Sequence, residues 1–149
     1  MSTISLLALV LTLAGCNLGP TSPRPTLSPD TVGAAQVVED LGPWPTDPFQ
    51  SVLVRIEGDT LVAEVTYGGG CGEHRFALAF ASLFMESEPV QVRGLLSHDA
   101  RGDLCQALLR RTLRYDLTPL RRAYETAYRT GSGVIDLQGN WPEAVRYRF

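Results

Sequence analysis

The sequence predicts a mainly β fold: an antiparallel β-sandwich or small barrel of about seven short strands with one short helix. Three observations predict it. Apolar residues recur at every second position in several short runs, Gly and Asp punctuate those runs, and a single stretch repeats at helical spacing. A parallel α/β fold would need a helix between most strands, which this chain does not offer.

Val52, Val54 and Ile56 recur at alternate positions, and Leu61, Ala63, Val65 and Tyr67 do the same beyond Gly58-Asp59. That is a β-hairpin, because Gly-Asp suits the positive backbone angles of a tight turn. After Gly68-Gly69-Gly70, a third strand places His74, Phe76, Leu78 and Phe80 on one side and Arg75, Ala77 and Ala79 on the other, its aromatics toward the core. A fourth strand covers residues 89–96, with Val90 and Val92 on one face. A fifth covers 110–117, with Leu113, Tyr115 and Leu117 alternating with Arg and Thr. Thr118-Pro119 reads as an N-cap with proline in the first turn. Leu120, Ala123, Tyr124, Ala127 and Tyr128 then repeat at helical spacing until Gly131. Residues 134–137 and 145–149 supply the last two strands.

With 44% apolar and 19% charged residues, the chain buries a core and does not resemble a disordered sequence. Its 149 residues divide into a leader at 1–15, a linker at 16–48 and one β domain at 49–149. All thirteen basic side chains are Arg, and most lie beyond Val92, hinting at a basic face. A run of this kind is more often a solvated one. The net charge of −3 and the lack of any nucleic-acid motif argue against DNA or RNA as a partner.

Residues 6–13 (LLALVLTL) form an apolar run too short for a permanent membrane span but suited to the core of a signal peptide. The tetrapeptide Leu13-Ala14-Gly15-Cys16 that follows resembles the lipobox of bacterial lipoproteins. The resemblance implies cleavage before Cys16, lipid on its thiol and attachment to a membrane of the cell envelope. By analogy, Asn17 implies the outer membrane facing the periplasm if the source is Gram-negative. The segment before the apolar run departs from the pattern in lacking Lys or Arg. Residues 19–29 (GPTSPRPTLSP) then read as an extended spacer.

One constellation carries chemistry. Cys71-Gly72-Glu73-His74 and the segment from His98-Asp99 to Asp103-Leu104-Cys105 hold both remaining cysteines and both histidines. An exported protein meets oxidising conditions, and two cysteines left after lipidation are an even number, so a Cys71–Cys105 disulfide is expected. Closing a loop of that size would stabilise the fold by about 3 to 4 kcal/mol. The alternative is a metal site: Cys71, Cys105, His74 and His98 could close a tetrahedral zinc centre. With the sulfurs oxidised, His74, His98, Asp99 and Asp103, with Glu73 near, could offer N and O ligands to zinc, copper or nickel. The competing plain reading has the histidines capping strand ends and the two aspartates stabilising a turn.

Catalytic readings are weaker. A Cys71–His74 nucleophile pair is silenced by oxidation, His98-Asp99 matches a metal dipeptide and nothing more, and the glycines before Cys71 lack the Lys and Ser or Thr of a phosphate loop. No reaction is predicted. The run Tyr67-Gly68-Gly69-Gly70-Cys71-x-x-His74, then His98-Asp99 and Asp103-x-Cys105, then Tyr115-Asp116-Leu117-Thr118-Pro119-Leu120, resembles domains of uncharacterised bacterial envelope lipoproteins. The resemblance brings no assigned activity with it. The expectation is a lipid-anchored, disulfide-stabilised β domain acting at the cell envelope as a binding or structural module, with metal binding through His74 and His98 with Asp99 or Asp103 as the rival.

Overall fold

The computed structural model describes residues 31–149; the leader, Cys16 and the Pro-rich spacer lie outside the described residues. The elements are β1 (Thr31–Ala34), β2 (Gln36–Val38), β3 (Gln50–Glu57), β4 (Thr60–Gly69), β5 (Arg75–Met85), β6 (Val90–Asp99), β7 (Ala107–Asp116), α1 (Thr118–Tyr128), β8 (Val134–Gln138) and β9 (Val145–Arg148). One sheet runs β1-β7-β4-β3 and the other β2-β5-β6-β8-β9, giving a sandwich of two open sheets rather than a closed barrel.

The seven strands expected from alternation are all present, and the hairpin turns at Gly58 with φ of 59°. β1 and β2 are additional, and they fall within the stretch read as linker. They are a single extended segment that changes sheet at Ala35, whose N–H donates to the Asp116 carbonyl at 2.9 Å. β1 pairs in parallel with β7 and β2 in parallel with β5, so both strands are completed by distant partners. β6 and β8 are also parallel, because α1 carries the chain from one sheet to the other.

The inner faces meet as the alternation requires. Leu61, Ala63, Val65 and Tyr67 of β4 join Leu113 and Tyr115 of β7 in one core cluster with Leu78, Phe80, Leu96, Ile135, Leu137 and Tyr147 of the opposite sheet. The helix buries Leu120 and Tyr124. Its start departs from expectation: Thr118 is the first helical residue and caps nothing. Its N–H and hydroxyl instead donate to Asp116 Oδ1 at 2.9 and 2.6 Å, a local turn that Asp forms readily. The helix ends at Arg129, which takes the left-handed conformation itself, before Gly131 is reached.

Candidate functional site

The chain leaves one sheet for the other between β4 and β5, and returns between β6 and β7. Cys71 lies in the first crossover and Cys105 in the second, and the two are joined by a disulfide with 5.9 Å between their Cα atoms. The staple therefore holds two inter-sheet crossovers together across 34 residues of sequence.

Asp103 organises the corner. Its Oδ2 accepts the N–H groups of Gly70, Cys71 and Gly72, each at 2.9 Å, and its Oδ1 accepts that of Cys105, also at 2.9 Å. Successive N–H groups can converge on one oxygen here because Gly69 and Gly70 take φ of 158° and 118°. Space demands glycine as well, since a Cβ at Gly69 would collide with the His74 ring. These donors, led by Cys105 N–H, hold the Asp103 carboxyl far below the usual carboxylate range.

From Asp103 a buried hydrogen-bonded line runs inward. His74 Nε2 lies 3.1 Å from Asp103 Oδ2, His74 Nδ1 lies 2.8 Å from His98 Nε2, and His98 Nδ1 lies 3.1 Å from the Asp47 carbonyl. Proton counting constrains this line. Both ends are pure acceptors, so three contacts need three protons, whereas two neutral imidazoles carry two. With both rings neutral, one of the three contacts has no proton between its atoms. His98 stays neutral, because burial disfavours its charged form and lowers its pKa.

Aromatic rings seal the line from water. Phe76 stacks on His98 with centroids 4.4 Å apart, Tyr67 packs at 4.8 Å from His74 and 5.2 Å from His98, and Phe49 meets His98 edge-on. Arg111 lies 5.9 Å over the Tyr67 ring and donates to the His74 carbonyl. The segment before β3 is bound to the same place: His98 N–H donates to the Pro45 carbonyl, Asp47 N–H to the His98 carbonyl, and Ala100 N–H to Asp47 Oδ2.

Of the residues singled out in the sequence, Cys71, Cys105, His74, His98 and Asp103 meet. Asp99 does not join them; its Oδ1 accepts the Arg101 N–H at 2.9 Å and shapes the turn. Glu73 is exposed. Asp47, Tyr67, Phe49 and Arg111 complete the site without having stood out in sequence: Tyr67 and Arg111 read as ordinary strand positions, and Asp47 lies in the apparent linker. The Arg-rich second half makes no uniform basic face, because Arg114 pairs with Glu57, Arg121 pairs with Glu125 and Asp59, and Arg111 is turned to the His74 loop.

No protein-family model matches the chain, and no curated protein matches it in sequence. Its fold is similar to that of several solved structures. A NigD-like immunity protein from Bacteroides caccae superposes with a TM-score of 0.56 at 18% identity, over 78% of this chain and 59% of that one. A protein predicted to be a lipoprotein, from Bacteroides fragilis, gives 0.54 at 12% identity, over 80% and 69%. A toxin-related protein from Parabacteroides distasonis gives 0.51 at 16%, over 80% and 61%. The chain thus spans about three fifths of the length of the first and third of these proteins, and at these identities the likeness is one of fold.

Proposed function

We propose that the protein is an envelope lipoprotein, anchored through lipid on Cys16, whose disulfide-stabilised sandwich serves as a binding or structural module. The observation that carries this reading is the Cys71–Cys105 disulfide in a chain whose third cysteine sits in a lipobox-like sequence. All three cysteines are then explained by export: one is acylated and two are oxidised. The fold neighbour predicted to be a lipoprotein agrees with the location. The His74–His98–Asp103 line fits the same reading. With its ring nitrogens paired to one another and to Asp103 and Asp47, it ties three chain segments together and leaves no ring nitrogen turned to solvent.

A single acyl chain binds a membrane only marginally, whereas the two or three carried by lipoproteins hold effectively permanently. Cys16→Ser should therefore shift the protein from the membrane pellet to the soluble or unprocessed fraction and abolish labelling by radioactive fatty acid. Unchanged fractionation and labelling of Cys16→Ser would overturn the anchor.

A further inference from the structure

Cys71 Sγ, Cys105 Sγ and a carboxylate oxygen of Asp103 lie within 4.8 Å of one another. Cys71 is exposed, and the three residues border an open depression shared with Gly72 and Arg101. We propose that reduction of the Cys71–Cys105 disulfide turns this corner into a site for one zinc-type divalent cation, bound by two thiolates and the Asp103 carboxylate with solvent in the fourth position.

Distance is the first argument. Zinc takes sulfur at about 2.3 Å and carboxylate oxygen at about 2.0–2.2 Å, so tetrahedral ligands stand roughly 3.5 Å apart. Three ligand atoms already inside 4.8 Å need only side-chain rotation once the sulfurs separate. The second argument is the state of the carboxylate. Oδ2 is committed to three N–H groups and His74, but Oδ1 accepts Cys105 N–H alone and keeps a lone pair to give. The N–H groups of both cysteines donate to this carboxylate, so it is registered against both sulfurs. His74 would remain on the far oxygen and orient it, as the outer partners of metal ligands commonly do.

Charge is the third argument. The disulfide is neutral beside Asp103, whereas two thiolates there would place three negative charges at one corner. A soft divalent cation removes that repulsion, and thiolate sulfur selects for zinc-like metals over calcium or magnesium. The corner thus has two well-matched states, oxidised or metal-bound. A dithiol reductant transfers two electrons and two protons to the disulfide and becomes a disulfide itself; the cation then displaces those two protons as two metal–sulfur bonds form. The inference does not depend on the lipid anchor.

The test uses the full chain purified in detergent and reduced with a water-soluble phosphine, which ends as its oxide. Cobalt(II) replaces zinc as the visible probe. The reduced protein should bind one cobalt per chain with a thiolate-to-cobalt charge-transfer band, release two protons, and lose the band on adding equimolar zinc. The oxidised protein and the Cys71→Ser/Cys105→Ser variant should show no band, and Asp103→Asn should bind at least tenfold more weakly, with Asp103→Glu recovering part of the loss. If reduction loosens the fold, equimolar zinc should restore the near-ultraviolet dichroism. A reduced protein without the band, one that zinc fails to refold, or Asp103→Asn and Asp103→Glu both binding as the unaltered chain does would overturn the proposal.

Discussion

At the scale of single residues, His98 and Asp103 give the protein an acid side. Burial lowers the pKa of His98 from its ordinary 6.5, and the backbone N–H groups around Asp103 lower its carboxyl from 3.8. In both cases the unfolded chain takes up protons more readily than the folded one. Stability is therefore full above the unfolded values and is lost as pH falls, first through 6.5 for His98 and then through 3.8 for Asp103. Urea midpoints should be level above about pH 7.5, decline through pH 6 and drop again below about pH 4. Asp103→Asn should lower the midpoint at neutral pH and flatten the second decline; a midpoint indifferent to pH between these limits would contradict the assignment. Gly69→Ala forces a methyl against His74 at a backbone angle that L-residues avoid, and should cost about 1 to 3 kcal/mol, read from the same unfolding curves.

The sequence reading reaches this site only in part, and the reason is physical. Cys71, His74, His98 and Cys105 stand out because cysteine and histidine are rare in the chain, and Asp103 because it lies between His98 and Cys105. What they do depends on which atoms face each other: His74 bonds to His98 and Asp103 through opposite ring nitrogens, while Asp99, next to His98 in sequence, points into a turn. Alternation along a strand tells which face a residue takes, not which neighbour it meets there.

Among the elements, the hairpin and the long strands follow from local alternation, whereas β1 and β2 do not. Four residues and three residues are too short to show a period, and each strand is held by pairing with a strand far along the chain. They cover the outer edges of β7 and β5. Deleting residues 31–38 should expose those edges and produce self-association visible by light scattering, whereas a chain left monomeric with an unchanged melting temperature would show the pair to be dispensable. The start of α1 differs from expectation for a local reason: Thr118 has the chemistry of a cap, but Asp116 two residues earlier offers the stronger acceptor. A second long-range tie joins the sheets at the opposite side of the core. Buried Tyr147 of β9 donates its hydroxyl to Asp59 Oδ1 in the β3–β4 turn at 2.6 Å. Tyr147→Phe should cost about 1 to 2 kcal/mol in urea unfolding with the fold unchanged, and no measurable loss would mean that the turn relaxes to water instead.

For the whole molecule, the two sheets are joined by a continuous apolar core and by one covalent link between their crossovers. Chain-entropy arguments assign a loop of this length about 3 to 4 kcal/mol, a large share of the stability of a small domain. Cys71→Ser with Cys105→Ser should lose that amount in equilibrium unfolding, and a loss below about 1 kcal/mol would show that the core alone suffices. The mainly β sandwich follows from the sequence because seven alternating strands and one helix leave few other ways to bury both faces. The mixed parallel pairing does not follow, since it depends on where α1 and the Ala35 crossing return the chain.

Export under oxidising conditions is the claim on which the functional reading rests. Peptide mass spectrometry of protein taken directly from the membrane fraction, alkylated before digestion, tests it in one measurement. The expected result is a mature N-terminal peptide beginning at an acylated Cys16, together with a peptide pair linked through Cys71 and Cys105 that carries no alkyl label. An unmodified Cys16 within an uncleaved leader, with both other cysteines alkylated, would contradict the account.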